Sequence, residues 1–180
     1  MVYWYEIDRT TIDWAQFGKE EGRWKYKLNQ SDSSNNSPLR FQVPRGKCVW
    51  GVSAYKSFQV EISDPKFIQW WKDLESQICP QGPFNSNLKL DRDGSSSLRL
   101  KIDDASYIFD ENSKQVTPVI EEGLFKGQDL SCLIDIESNY FFRDSWGLTV
   151  RAFQVKSYGG GEPVEEAPIQ LKKGICAFLD

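Results

Sequence analysis

Histidine is absent from the 180-residue chain. That absence removes the commonest general base, the usual partner of a serine or cysteine nucleophile and the commonest metal ligand together. Cysteine is scarce. Cys48, Cys79, Cys132 and Cys176 stand far apart with no C-x-x-C pair, so zinc spacing is missing. No phosphate-binding loop exists, because Gly159-Gly160-Gly161 lacks the Lys-Ser/Thr pair and leads into no helix. No apolar run reaches the ~18 residues of a membrane span, and Met1–Glu6 is not a signal peptide. These absences predict a soluble, intracellular protein with reduced thiols, no membrane contact, no metal and no cofactor.

A net basic charge is also missing: the formal charge is −4. The distribution is more informative than the sum. From Pro38 to Val60 the charged residues are Arg40, Arg45, Lys47 and Lys56, apart from which no charge occurs. From Ser157 to Asp180 the chain carries Glu162, Glu165, Glu166 and Asp180 against Lys172 and Lys173. A basic body segment therefore precedes an acidic end. Aromatic residues make up 14% of the chain, which argues against disorder and exceeds what a core of this size needs. Some rings are expected on a working surface.

Periodicity predicts a mainly β chain. Arg23–Leu28 alternates strictly, with Trp24, Tyr26 and Leu28 on one face. Residues 29–38 read as a flexible loop of Ser, Asn, Asp and Gln. Residues 39–62 read as two strands interrupted at Pro44-Arg45-Gly46, with Phe58, Val60 and Ile62 as one alternating face. One helix is predicted over 64–78, with Asp64 as N-cap, Pro65 at the first position and an apolar stripe of Phe67, Ile68, Trp71, Leu74 and Ile78. Further strands are expected at Leu98–Ile102, Ala105–Phe109, Leu130–Ile136 and Gly147–Lys156, with a weak edge strand at Val116–Ile120. Glu137–Trp146 reads as an aromatic tip between the last two. About seven short strands with one interposed helix and long decorated loops suit an OB-like antiparallel barrel, with a two-sheet sandwich as the structural alternative. The folded domain is expected over 1–158, followed by a Gly-rich linker and acidic tail over 159–180.

Catalytic constellations are not evident. Asp91, Asp93, Asp103, Asp104 and Asp110 lie near each other in sequence. Asp91-Arg92-Asp93-Gly94 resembles part of a calcium loop but lacks the closing Glu, and a solvated turn explains it. Nothing singles out a carboxylate pair for glycoside hydrolysis.

Single-strand binding needs cations that track phosphates and rings that stack on bases. Three segments interleave both. The first is Arg40, Gln42, Arg45, Lys47, Trp50, Tyr55 and Lys56; the second is Arg99 and Lys101 on the polar face of their strand. The third is Phe141, Phe142, Arg143, Trp146, Arg151, Phe153 and Lys156, where alternation puts Thr149, Arg151, Phe153 and Val155 on one face. Strands with one wet face look similar without binding anything.

The segment Leu39-Arg40-Phe41-Gln42-Val43-Pro44-Arg45, followed by Trp50-Gly51-Val52-Ser53, resembles a motif of single-stranded DNA-binding proteins from large eukaryotic DNA viruses. Those proteins are similar to an OB-fold family also found in phages. Trp146–Lys156 resembles that family's final barrel strand, and Cys176-Ala177-Phe178-Leu179-Asp180 resembles its acidic-aromatic tip. The resemblance implies an OB barrel, non-specific single-strand binding and a role in replication or recombination, in a host nucleus or viral replication site. It also implies an acidic C-terminus that competes with DNA or recruits replication proteins, here carried by Glu162, Glu165, Glu166, Phe178 and Asp180 and diluted by Lys172 and Lys173. Arg40, Gln42, Arg45, Trp146, Arg151, Phe153 and Lys156 fall within the matching motifs. The chain is thus expected to be a non-enzymatic single-stranded DNA-binding protein, with a dimer contact at Tyr3, Trp4 and Tyr5 as an additional expectation. A β-rich protein-interaction module or minor virion component, whose rings form a partner interface, is the alternative.

Overall fold

The chain alternates apolar and polar residues over much of its length, and these stretches become strands. The computed structural model describes residues 2–17, 21–26, 37–79, 82–117 and 123–161. Short 3₁₀ turns at Trp4–Glu6 and Arg9–Thr11 precede β1 (Asp13–Phe17), β2 (Glu21–Tyr26), β3 (Ser37–Pro38), β4 (Arg40–Gln42), β5 (Gly46–Lys47) and β6 (Ser57–Ile62). The helix α1 (Pro65–Ile78) follows, then β7 (Phe84–Asn85), β8 (Leu88–Leu90), β9 (Ser96–Lys101), β10 (Tyr107–Phe109) and β11 (Gln115–Thr117). Two long strands, β12 (Gln128–Phe142) and β13 (Ser145–Gly160), end the described chain.

A ring of strands closes around one core. β4 and β5 pair with β12, and β12 pairs antiparallel with β13. β13 meets β9 in parallel at Arg151–Lys101, and β9 runs antiparallel to β6 from Ser57–Lys101 to Ile62–Ser96. A bridge between Cys48 and Val60, with the Val49 amide donating to the Gln59 carbonyl at 2.9 Å, returns β6 to the start. This is an OB-like five-stranded barrel. Gly46 sits at the closure, where a Cβ would strike the Glu61 carbonyl oxygen, so the approach of β5 to β6 requires glycine. Phe41, Phe58, Val60, Leu98, Leu100, Ile134, Val150 and Ala152 are all buried inside. Each large apolar side chain so buried contributes roughly 1.5–3 kcal/mol.

The helix forms where the sequence predicts it. The Asp64 carboxylate accepts from the Lys66 amide at 2.9 Å, and Pro65 occupies the first turn, where its missing N–H costs nothing. Phe67, Trp71, Leu74 and Ile78 face the barrel. Phe41 meets Trp70 edge-on at 5.2 Å between ring centroids, and Trp4 meets Phe67 at 5.4 Å. Buried Glu75 fastens the helix to the following segment, accepting from Trp71 Nε1 at 2.7 Å, Ser86 Oγ at 2.7 Å and the Asn87 amide at 3.1 Å. Among the described residues, no helix is long and apolar enough to cross a membrane.

Several boundaries differ from the sequence reading. The aromatic tip Glu137–Trp146 is itself mostly strand: β12 and β13 continue through it as a hairpin whose last pair is Phe142–Ser145. β13 runs past Tyr158 to Gly160, which pairs with Gln128, so the glycine run begins inside the sheet. Ser37–Pro38 form a short strand against Lys25–Tyr26, at the end of the expected loop. Leu28, most of that loop and the acidic tail lie outside the described residues.

Candidate nucleic-acid interface

The connection from β5 to β6 carries Trp50, Tyr55 and Lys56 outside the core. A turn fixes it: the Lys56 amide donates to the Ser53 carbonyl at 2.9 Å, and the Ser53 and Ser57 hydroxyls lie 3.0 Å apart. Lys56 itself takes φ 53°, a left-handed conformation that costs a non-glycine residue about 1 kcal/mol or more. The Ile102 amide donates to the Lys56 carbonyl at 2.9 Å, which pins the turn to the end of β9. The outcome is a Tyr55 ring 88% exposed at a held corner. Trp50 is exposed too, with Lys126 Nζ 4.9 Å from its ring centroid. The Cys48 thiol donates to the Trp50 carbonyl, and burial pushes that thiol up to about 12, which leaves it unreactive.

On β9 the inward residues are Leu98 and Leu100, so Arg99 and Lys101 point out. Neither makes an ion pair among the described residues. Lys89, on the neighbouring strand, has its pKa lowered, chiefly by burial and then by the Arg99 charge, against the opposing pull of Glu75.

β9 and β13 pair only at Lys101–Arg151, and a cleft of about 390 Å³ opens beside that pair. Tyr55, Ser57, Asn87, Arg99, Lys101, Tyr140 and Thr149 line it, with Leu148 and Val150. Asn87 steadies its wall by donating Nδ2–H to the Arg99 carbonyl at 3.0 Å, while its Oδ1 is buried without a partner among the described residues.

The β12–β13 hairpin closes this region. Arg143 (φ 48°) and Asp144 (φ 58°) both take positive φ between the paired Phe142 and Ser145, the geometry of a type I′ turn. That turn usually recruits glycine, and holding two other residues there costs about 1 kcal/mol or more each. Strand alternation divides the rings. Tyr140 and Phe142 share the cleft side with Thr149, whereas Phe141 and Trp146 lie on the reverse, their centroids 5.1 Å apart. On that reverse side Asn139 donates to the Ile78 carbonyl at 3.3 Å, and at the strand edge the Trp146 amide donates to the Pro83 carbonyl at 2.9 Å, beside the pairing of β13 with β7. Phe141 and Phe142 remain 58% and 62% exposed, and the Arg143 guanidinium lies 5.1 Å from the Phe142 ring.

The remaining expected cations sit on the outward face of β4, β12 and β13, and most are already engaged. Arg40 makes two hydrogen bonds to buried Asp135, and its guanidinium stacks 3.7 Å over Phe153. Arg151 donates to Asp135 at 3.1 Å and to Asp103 at 3.2 Å, and its Nε lies 2.8 Å from Glu137 Oε1 without hydrogen-bond alignment. Burial alone draws the Arg151 pKa down. The hydrogen bond to Asp103 and the charges of Asp103, Glu137 and Asp135 outweigh it and raise the net value. Arg45 donates to Asp129 at 2.6 Å and covers Tyr158 at 3.7 Å. That hydrogen bond holds the Asp129 carboxyl below the ordinary range. Lys156 donates to Ser113 Oγ at 3.0 Å. Lys47 is exposed opposite Asp129, and half-buried Gln42 donates its backbone amide to the Val2 carbonyl at 2.9 Å.

The structure adds partners to three of the expected cations and changes one face assignment. Arg40, Arg45 and Arg151, expected at the interface, are each paired with carboxylates here: Asp135, Asp129, and Asp103, Asp135 and Glu137 respectively. Val155 does not share a face with Phe153. Ile134 pairs with Ala152 but Leu133 pairs with Gln154, so Phe153 is an extra bulged residue and Val155 turns into the core. Tyr140, Thr149 and Asn87 also line the cleft, although the sequence reading did not place them among the binding residues. Period two along the tip offered a signal for the first two; Asn87 reaches the cleft through contacts no local pattern reveals. Tyr3 and Tyr5 stack at 5.3 Å and stay exposed, while Trp4 packs toward the core. Glu162, Glu165, Glu166, Phe178 and Asp180 lie outside the described residues.

Fold and cleft together define an OB-like barrel with a cationic, aromatic groove. No family model matches the sequence, and no curated protein matches it. The fold does have likenesses among solved structures. The single-stranded DNA-binding protein from bacteriophage Enc34 superimposes with a TM-score of 0.57 at 11% identity, over 88% of this chain and 95% of that one. The same phage protein in complex with single-stranded DNA gives 0.55 at 11% identity, over 85% of this chain and 98% of that one. The fold is therefore that of phage single-stranded DNA-binding proteins. The link to large eukaryotic DNA viruses rests on the sequence motifs alone.

Proposed function

We propose that this chain binds single-stranded DNA with little sequence preference, in the cleft between β9 and β13. One observation carries the reading: Arg99 and Lys101, free of ion pairs among the described residues, line one cleft together with Tyr55 and Tyr140. OB folds bind oligonucleotides on the face of their second and third strands and on the first–second and fourth–fifth loops. Here those parts are β6 and β9, the turn bearing Tyr55 and Lys56, and the β12–β13 hairpin. The phage Enc34 neighbour was solved with single-stranded DNA, which supports the same reading.

The track runs from Tyr55 past Arg99, Lys101, Thr149 and Tyr140 to Phe142. Phosphates meet the cations and release counterions; bases stack on the rings at about 1–3 kcal/mol each. Phe141 and Trp146 are not part of this track. The role is binding without chemistry: the protein keeps exposed strands unpaired and shields them from nucleases during replication or recombination. Competition by the acidic tail and self-association through Tyr3 and Tyr5 belong to the same proposal. Fluorescence anisotropy with labelled single-stranded DNA, duplex DNA and RNA at low and moderate salt tests it. Tight, salt-sensitive association with the single strand is expected. No association with the single-stranded probe in dilute buffer rejects it.

A further inference from the structure

We infer that the tip of the β12–β13 hairpin is a wedge that engages the junction between single-stranded and duplex DNA. The inference rests on the proposed single-strand track and extends it to a second strand. Its basis is the two-sidedness of the tip. Tyr140 lines the cleft and Phe142 shares its face of the hairpin, whereas the Phe141–Trp146 pair, 5.1 Å between centroids, lies on the other face. A single strand lying in the cleft meets only the first pair. The second ring platform then has nothing to stack on, although Phe141 is 58% exposed.

A forked DNA satisfies both faces. One strand enters the cleft over Tyr140 and Phe142, the other passes along Phe141 and Trp146, and the terminal base pair abuts the apex. Apolar side chains inserted at base steps do this work in proteins that unstack a duplex. The apex has the stiffness that such a wedge needs. The strands stay paired as far as Phe142–Ser145, and the turn is held in the left-handed region at both Arg143 and Asp144. Backbone strain of this kind concentrates at functional sites. Arg143 places a cation beside Phe142 at the branch point, where phosphates of the two strands crowd together. Continuity with the cleft gives the duplex end one direction of approach.

The test uses the full chain with three labelled probes: a single strand of about 16 nucleotides, a blunt duplex, and a duplex carrying a single-stranded tail of that length. The tailed duplex is expected to bind about fivefold or more tightly than the single strand, the factor one added stacking contact supplies. A 2-aminopurine at the first base pair of the duplex should brighten as it unstacks. Phe141→Ala should remove that preference and the brightening, with less than about a twofold change in single-strand affinity; Phe141→Trp should retain both, which separates ring loss from misfolding. Equal affinity for tailed and single-stranded probes, with single-strand binding intact, overturns the wedge and leaves the proposed function standing. So does Phe141→Ala weakening both probes alike. Failure to bind any single strand overturns the two together.

Discussion

Arg40 and Asp135 face each other across β4 and β12, joined by hydrogen bonds of 2.6 and 2.9 Å, and Arg151 on β13 shares the same carboxylate at 3.1 Å. One buried acid thus cross-braces three neighbouring strands from the outside of the barrel. Removing it leaves two guanidinium groups facing each other without their common counter-charge. Asp135→Ala should cost about 3 kcal/mol, the lower end for breaking a buried pair, because the Arg40 side chain is 34% exposed. Urea denaturation with Arg40→Ala, Asp135→Ala and the double variant checks this. Simple additivity of the two losses would show that the pair is not coupled.

On the proposed single-strand track, the same pairing separates cations available to phosphates from those already engaged. A guanidinium already matched to a carboxylate neutralises little phosphate charge and so displaces few of the counterions condensed on DNA. Lys101→Ala and Arg99→Ala should each reduce the slope of log affinity against log salt by about 0.7, the single-strand value per phosphate contact. Arg40→Ala should leave that slope nearly unchanged. Titrations at several salt concentrations read it. Equal slope losses at Arg40 and Lys101 would place phosphates on the outer face and not in the cleft.

These contrasts mark how far the sequence could be read. Local rules were enough for α1, where Asp64, Pro65 and the apolar stripe act within one or two turns, and for β9, where alternation points Arg99 and Lys101 outward. The OB-like class followed from the number and spacing of such segments. Pairing over long range was not legible. Nothing near Arg151 announces Asp103, Asp135 and Glu137 as its partners, and nothing near Phe153 announces the bulge that turns Val155 inward. The tip was legible as aromatic but not as two-faced, because that property depends on both strands remaining paired to its end.

Glu75 gives the fold a pH signature. Burial raises its pKa above the ordinary 4.5, against the hydrogen bonds from Ser86, Trp71 and the Asn87 amide. The folded state therefore holds this proton to higher pH than the unfolded chain does. Its contribution to stability is greatest in acid and declines as pH rises from about 4.5 through the raised value. Glu75→Gln keeps an oxygen for Trp71 and cannot ionise, so its stability relative to the parent should improve from acid to neutral pH. Glu75→Ala leaves buried donors without an acceptor and should cost about 1–3 kcal/mol. Thermal unfolding across pH 4 to 8 decides it; a parent-to-Gln difference independent of pH rejects the role.

Gly147 lies under the Tyr140 ring, and a Cβ there would collide with the far end of that side chain. The ring can swing aside, so Gly147→Ala should displace Tyr140 from the cleft while the barrel survives. Gly46→Ala is the contrasting case, because its Cβ meets the backbone carbonyl of Glu61, which the β6 ladder holds in place. Gly46→Ala should lower the melting temperature sharply. Gly147→Ala should keep most of it yet weaken single-strand binding about fivefold or more, the worth of one stacked base. Tyr140→Ala should match that loss, and adding Gly147→Ala to it should weaken binding no further, since the ring through which the glycine acts is already gone. A further loss in the double variant would mean that Gly147 serves the DNA by its own close backbone approach and that Tyr140 is not the stacking platform of the cleft.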